Sequence, residues 1–185
     1  MTLAGVFIVY TAMNTIVKTG DSDRSDRPGK ASRTGFSISL KGRALRLLST
    51  REYSRAELER KLAAFEEVPG ELAKALDELE AKDFINEQRV VDSVLHRRSS
   101  KLGTARIKQE LQSKGLDAGA VLDAVDLLKS TEVERAREVW RKKFGQAPTT
   151  PAERGKQMRF LMSRGFGSDA IRRVLSGADE ASDID

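Results

Sequence analysis

Apolar residues recur along this chain at a period of about fifty positions, and within each period they fall on helical spacings. Leu62, Leu111 and Leu161 are followed ten residues later by Leu72, Val121 and Ile171, and four residues beyond that by Leu76, Val125 and Leu175. The successive offsets are 49 and 50, so the register is nearly held. Leu58 with Leu62, and Ile107 with Leu111, stand at i, i+4 and line one face of a helix. In the third unit Gln157 takes the place of Ile107, so Met158 and Leu161 are expected to cover that stripe. No stretch alternates with period two over a useful length, which argues against strands. A unit this short buries too little surface to fold well alone, so repeated units stack and share apolar faces. The pattern predicts an all-α tandem array, an architecture that presents an extended binding surface.

The punctuation between the apolar stripes is explicit. Ser54 and Glu57 spell a Ser-x-x-Glu capping box ahead of Leu58. Thr131 with Glu134 and Thr150 with Glu153 repeat the device, and Pro151 stands at a first helical position, where its missing N–H costs nothing. Lys114-Gly115-Leu116 reappears as Arg164-Gly165-Phe166, and each glycine suits a left-handed helix stop behind a basic last turn. Asp117 and Ser168 then cap the helices that follow. These signals predict three helices per unit: near 41–50, 55–65 and 70–82; near 87–99, 104–114 and 118–129; and near 132–144, 152–164 and 169–176. The expected organisation is a flexible N-terminal arm over 1–40, repeats over 41–86, 87–130 and 131–177, and an acidic tail over 178–185. Within the arm, residues 18–35 are rich in Asp, Ser, Arg and Gly, with almost nothing to bury, which is the composition of a disordered segment.

About a third of the 185 residues are charged and the net charge is +5, but its distribution is uneven. Residues 44–88 hold seven basic and eleven acidic side chains, whereas 132–177 hold eleven basic and five acidic. A basic second half ahead of an acidic tail points to a polyanionic partner, either nucleic acid or an acidic protein surface. The lack of cysteine removes disulfides, thiolate metal sites and thiol nucleophiles together, and fits a reducing compartment. The apolar run from Leu3 to Val17 is broken by Thr11, Asn14 and Thr15. It is too short to span a bilayer and lacks the preceding Lys or Arg of a signal peptide; Met13 is an alternative start. A soluble, cytoplasmic protein without a membrane anchor is expected.

Catalytic raw material is scarce. His96 is the single histidine, which leaves little raw material for a Ser-His-Asp site and none for a multi-histidine metal site, and its place between Leu95 and Arg97 suits a helix surface. No Gly-x-x-x-x-Gly-Lys loop exists to hold a nucleotide, and Gly165-Phe166-Gly167 reads as a helix stop. Carboxylates such as Glu66, Glu67, Glu78 and Glu80 read as solvated helix surface. No enzyme activity, metal or cofactor is expected. The basic clusters are the candidate site. Arg97, Arg98 and Lys101 end one helix, Arg106 and Lys108 open the next, and Lys114 closes it. In the third unit Arg141, Lys142 and Lys143 form a run, followed by Lys156, Arg159 and Arg164 and then by Arg172 and Arg173. Several are lysines, which act as point charges, so attraction to phosphate or carboxylate is expected and base readout is not. Trp140 and Phe144 share the apolar stripe of Ala136 and belong in the core, which leaves few platforms for stacking bases.

At this point the residues resemble a known family. Ala44-Leu45 through Leu48, Arg51, Ser54, Glu57-Leu58 and Lys61-Leu62 are similar to the opening of RecX, the bacterial regulatory protein of the RecA recombinase. Phe84-Ile85-Asn86 leads into a helix ending at Arg98, and Gly103, Arg106-Ile107, Glu110-Leu111 and Lys114-Gly115-Leu116 resemble the family's central signature. Lys142-Lys143, Phe160-Leu161, Arg164-Gly165-Phe166, Asp169 and Ile171 resemble its C-terminal one, so the likeness covers roughly residues 41–176. Val90-Val91 stand where the family usually has Phe-Ala, and His96 where arginine is common. The resemblance implies three tandem three-helix repeats forming a curved, elongated body and a place in DNA repair, recombination and the SOS response. It implies binding to RecA and along the groove of the RecA–DNA filament, limiting ATP hydrolysis, filament growth and strand exchange. A monomer with weak direct DNA binding is the matching expectation.

Two other readings compete. The Gly115 turn between two helices has the look of a helix-turn-helix, which would make this a DNA-binding protein acting without RecA. Stacked helical repeats produce the same turn for packing reasons. The other is a scaffold that binds some different protein.

Overall fold

The computed structural model describes residues 38–180, with side chains through Ser176. Nearly all of the expected arm, and the last five residues of the chain, lie outside the described residues. Among the described residues every regular element is helical: α1 (Leu40–Leu48), α2 (Arg55–Leu62) continued by a 3-10 turn (Ala63–Phe65), α3 (Glu71–Ala81), α4 (Glu87–Arg98), α5 (Thr104–Ser113), α6 (Ala118–Ser130), α7 (Glu132–Lys143), α8 (Pro151–Ser163) and α9 (Ser168–Glu180). In each successive trio the first and second helices pack on the third: α1 and α2 on α3, α4 and α5 on α6, α7 and α8 on α9.

The apolar stripes account for this arrangement. All nine positions of the repeat pattern, from Leu62 to Leu175, are buried. They fall into three clusters: one around Leu58, Leu76 and Leu79, one around Ile107, Leu111 and Val125, and one around Trp140, Leu161 and Ile171. Each fully buried leucine or isoleucine contributes about 2 kcal/mol from removal of its surface from water. The resemblance to three stacked trios rests on this periodicity rather than on local helix propensity.

Several helix ends follow the sequence, and others correct it. Ser54 and Glu57 form the reciprocal capping box, Asp117 accepts from the Gly119 N–H, and Gly115 and Gly165 adopt left-handed φ values of 69° and 82°. Thr131 makes no capping bond to α7. Helix α6 runs almost directly into α7, so Thr131 serves as the end of the first, with φ −113° and ψ 8°, and its hydroxyl donates to the Leu128 carbonyl. Thr150 does accept from the Glu153 N–H, but the Glu153 carboxylate reaches past it to the Thr149 N–H and hydroxyl. Ser168 is the first residue of α9, and α9 continues to Glu180, so the start of the expected acidic tail is helical. Glu66 is no idle surface carboxylate, because it accepts from the N–H groups of Gly70 and Leu72 and so caps α3 from the preceding loop.

The third core departs from expectation at Gln157. It remains buried, and its side-chain oxygen accepts from the Trp140 indole N–H at 2.7 Å. Burying a tryptophan leaves an N–H in need of an acceptor, and Gln157 supplies it where Ile107 could not. Met158 is thereby released to the outside of α8, where it is 40% exposed.

Candidate partner-binding surface

The middle helices of the three trios join end to start. The C-terminal end of α5 meets the N-terminal end of α2: the Ser54 hydroxyl donates to the Lys114 carbonyl at 2.5 Å, and Arg60 donates to the Ser113 carbonyl at 3.1 Å. The C-terminal end of α8 meets the N-terminal end of α5 in the same sense. Here the Gly103 N–H donates to the Arg164 carbonyl at 2.9 Å and the Ala105 N–H to the Gly165 carbonyl at 3.1 Å. The left-handed turn at each helix end frees its last carbonyls to be used this way. A β-carbon on Gly103 would lie 2.2 Å from the Phe166 nitrogen, so the second junction tolerates no side chain there.

Charge is distributed differently on either side of the first junction. The first trio pairs three of its cations with its own carboxylates, while Arg46, Lys61, Lys74 and Lys82 stay exposed without an ion pair among the described residues. Lys41 pairs with Glu78, Arg51 with Glu57, and Arg55 with Glu59, Asp77 and Glu80, while Glu52 and Asp83 hold Arg89 from the start of the second trio. Hydrogen bonds from Arg55 to Asp77 and Glu80 raise its pKa further above the ordinary arginine value. In the second and third trios basic side chains outnumber acidic ones. Among the described residues Lys101, Arg106, Lys108, Lys142, Lys143, Arg159 and Arg173 are exposed with no carboxylate within ion-pair distance. Arg97 is exposed and turns back to the Ser93 carbonyl, and Lys156 is exposed near Glu153.

The remaining sequence candidates are more constrained. Arg98 pairs with Glu110 at 2.9 Å, yet both line an open cleft with Leu102, Arg106 and Gln109, so Arg98 and Arg106 are brought together. Arg141 pairs with Glu138, and Arg172 with Asp169, each within its own helix and each fully at the surface. Such pairs are worth little in water and are easily exchanged for another anion. Arg164 is half-buried and lies flat over the Phe160 ring at 3.7 Å.

Lys114 is the clear correction. It is buried, and its ammonium pairs at 2.9 Å with Glu57, whose side chain is itself only 12% exposed. Burial alone would raise the Glu57 pKa, but hydrogen bonds from Lys114, Arg51 and the Ser54 N–H outweigh it and hold the carboxyl below the ordinary value. Lys114 locks the first junction and has no charge to spare for a partner.

Arg135, which the sequence left unremarked, is the counterpart at the second junction. Its guanidinium donates to the carbonyls of Ser99, Leu102 and Leu128 and to the Thr104 hydroxyl, closing the ends of α4 and α6 at once. Burial lowers its pKa, opposed by Glu132, whose carboxylate also accepts from the Thr104 N–H at 2.9 Å. A lone arginine early in a helix carries no sequence mark of this role; only the meeting of three helix ends defines it.

No group of three or more histidine, aspartate or glutamate side chains among the described residues is placed to hold a metal ion. No described helix is long and apolar enough to cross a membrane. His96 is exposed on α4. What the surface offers is cationic side chains on rigid helices, suited to attracting a polyanion.

Comparison with known proteins identifies the family and the fold. Residues 41–79 match the model of the first three-helix domain of RecX, and residues 130–175 that of its third. A regulatory protein RecX from Leptothrix cholodnii is 55% identical over 148 residues, covering 80% of this chain and 94% of its own. One from Ralstonia nicotianae is 44% identical over 146 residues, covering 79% and 92%. The crystal structure of RecX from Lactobacillus salivarius superposes with a TM-score of 0.65 at 23% identity, over 76% of this chain and 95% of that one, and so shares the fold. The chain belongs to the RecX family of regulatory proteins.

Proposed function

We propose that this protein regulates the RecA recombinase without catalysis of its own, binding RecA and the groove of the RecA–DNA filament as a cytoplasmic monomer. It thereby limits ATP hydrolysis, filament growth and strand exchange. The observation that carries this reading, beyond family membership, is the set of exposed cations without carboxylate partners in the second and third trios, where basic side chains outnumber acidic ones, against a first trio in which acidic side chains outnumber basic ones. A filament wrapped on DNA offers the complementary phosphate, and long-range attraction steers the encounter. Lys114 drops out of the contact set and the other thirteen basic residues remain in it.

The test is RecA ATPase on single-stranded DNA, titrated with substoichiometric protein. Wild type inhibits; the Arg97→Glu/Arg98→Glu/Arg106→Glu variant, folded by circular dichroism, inhibits about tenfold more weakly, a loss of about 1.4 kcal/mol. Unchanged inhibition by the folded triple variant removes this patch from the interface.

The helix-turn-helix alternative fits less well. Its recognition helix would be α6, whose exposed residues include Leu122, Asp123, Asp126 and Leu127. Aspartates repel the phosphates that a recognition helix must pass between. Salt-sensitive DNA binding of equal strength with and without RecA would restore that reading.

A further inference from the structure

Helix α8 carries apolar side chains on two sides. Leu161 and half-buried Phe160 face the third core. Met158 and Met162, one helical turn apart, stand on the outer side with 40% and 57% of their surface exposed. Beside them α9 supplies Ile171 and Leu175 as a buried floor, with Ser168 and Arg172 on the edge, so an open apolar groove runs between the two helices. Gly155 continues the outer line one turn toward the start of α8, and the Arg159 guanidinium folds over it, 3.3 Å from where a β-carbon would stand. The corresponding positions in the earlier trios are Lys108 and Gln112 after α5 begins, and Glu59 and Ala63 along and just beyond α2. The repeat itself therefore does not require methionine at these two places; the apolar groove is private to the third trio.

Exposed apolar residues scattered singly are ordinary, but two in helical register above an apolar floor have the geometry of a groove that accepts a helix. Methionine suits such a groove because its unbranched, polarizable side chain repacks around its occupant. The border is cationic: Arg154 and Arg172 line the groove, Arg172 with only exposed Asp169 on its own helix, and Arg159 adds a further positive charge nearby over Gly155. Phosphate would satisfy the arginines and leave the methionines wet. An amphipathic helix with an apolar stripe bordered by carboxylates satisfies both.

We propose that the α8–α9 groove docks an acidic amphipathic helical segment of a protein partner, with Met158 and Met162 as its anchors. This rests on the RecA reading for the partner's identity: the occupant belongs to a RecA protomer, and the cations of the second trio are left to phosphate.

The test uses the full chain, with binding to DNA-free RecA measured by biolayer interferometry and binding to single-stranded DNA alone by fluorescence anisotropy. Met158→Glu/Met162→Glu puts like charge against the expected carboxylates and is expected to weaken RecA binding by tenfold or more, on the order of a buried interface anchor. Single-stranded DNA binding stays unchanged, and Met158→Leu/Met162→Leu keeps RecA binding. If the glutamate pair fails to fold, Met158→Gln/Met162→Gln supplies the same contrast. RecA binding that survives the polar pair overturns the inference. So does a parallel loss of DNA binding, which would make the groove a nucleic-acid site, or a wild-type dimer in light scattering that the polar pair dissociates, which would make it a self-contact. Wild-type protein that binds neither DNA-free RecA nor its filament overturns the RecA reading instead.

Discussion

At the junction where α5 meets α2, the third residue of the receiving helix is Glu57, and it holds Lys114 from the arriving one. At the junction where α8 meets α5, the corresponding residue, 49 positions on, is Arg106, and the arriving residue is Arg164. A carboxylate meets an ammonium in one case, whereas arginines occupy both positions in the other. The backbone solution is shared, since both junctions feed helix-end carbonyls to the start of a neighbouring helix. The side-chain solution is not. The first junction closes itself electrostatically, whereas the second is held by Gly103, Arg135 and Glu132 from behind and leaves Arg106 exposed and Arg164 flat on Phe160. A repeat can thus preserve its packing while turning one joint into a lock and the next into a charged surface.

The comparison breaks most severely at Gly103. Gly103→Ala drives a methyl group into the Phe166 and Gly165 backbone and is expected to cost roughly 4 kcal/mol, read as a lower midpoint in urea unfolding. A variant as stable as wild type would mean that the second junction is looser than described.

Leu111→Ala follows, at about 2–5 kcal/mol, because the side chain is fully buried in the middle cluster that both junctions flank. A denaturant melt showing no loss would refute the repeat register itself.

Glu57→Gln is expected to cost about 2 kcal/mol by leaving the Lys114 ammonium buried beside a neutral amide. It also carries a pH signature. The folded protein holds this carboxyl below its ordinary value of 4.5, so the folded state binds its proton less readily than the unfolded chain. The stabilisation is complete above that value and is lost as the pH falls through the lowered folded one, so the wild-type stability curve bends down in acid and the variant curve lacks this component. Parallel acid limbs for the two proteins would remove the lock from Glu57.

The smallest expected effect is the most instructive. Arg106→Glu gives the second junction the carboxylate of the first. Stability should rise by less than about 1 kcal/mol, since the site is open to water, while inhibition of RecA weakens. If stability and inhibition both stay as in wild type, the charge difference between the junctions has no functional meaning.

Much of this was legible from residue order. The nine periodic apolar positions, the Ser54 box and the left-handed stops at Gly115 and Gly165 are local signals, because spacing, cap chemistry and backbone freedom act within a few residues. The basic candidates were legible as a set but not one by one. Lys114 and Arg164 look alike in their Gly-containing motifs, yet the first is buried against Glu57 and the second is stacked at the surface edge. The difference comes from a residue 57 positions away in the chain. Met158 and Gln157 exchanged their expected places for a similar reason: the Trp140 N–H, 17 residues distant, needed an acceptor inside.

The sequence by itself determined that the described chain is helical, that its trios repeat, and that its cations outnumber its acids in the second half. Those properties need only periodicity, capping and composition. Which cations remain available, which glycine admits no side chain, and which face of α8 is left apolar were decided by tertiary structure. Each depends on what a distant segment brings alongside, and burial turns a charge from a free contact into a structural pair.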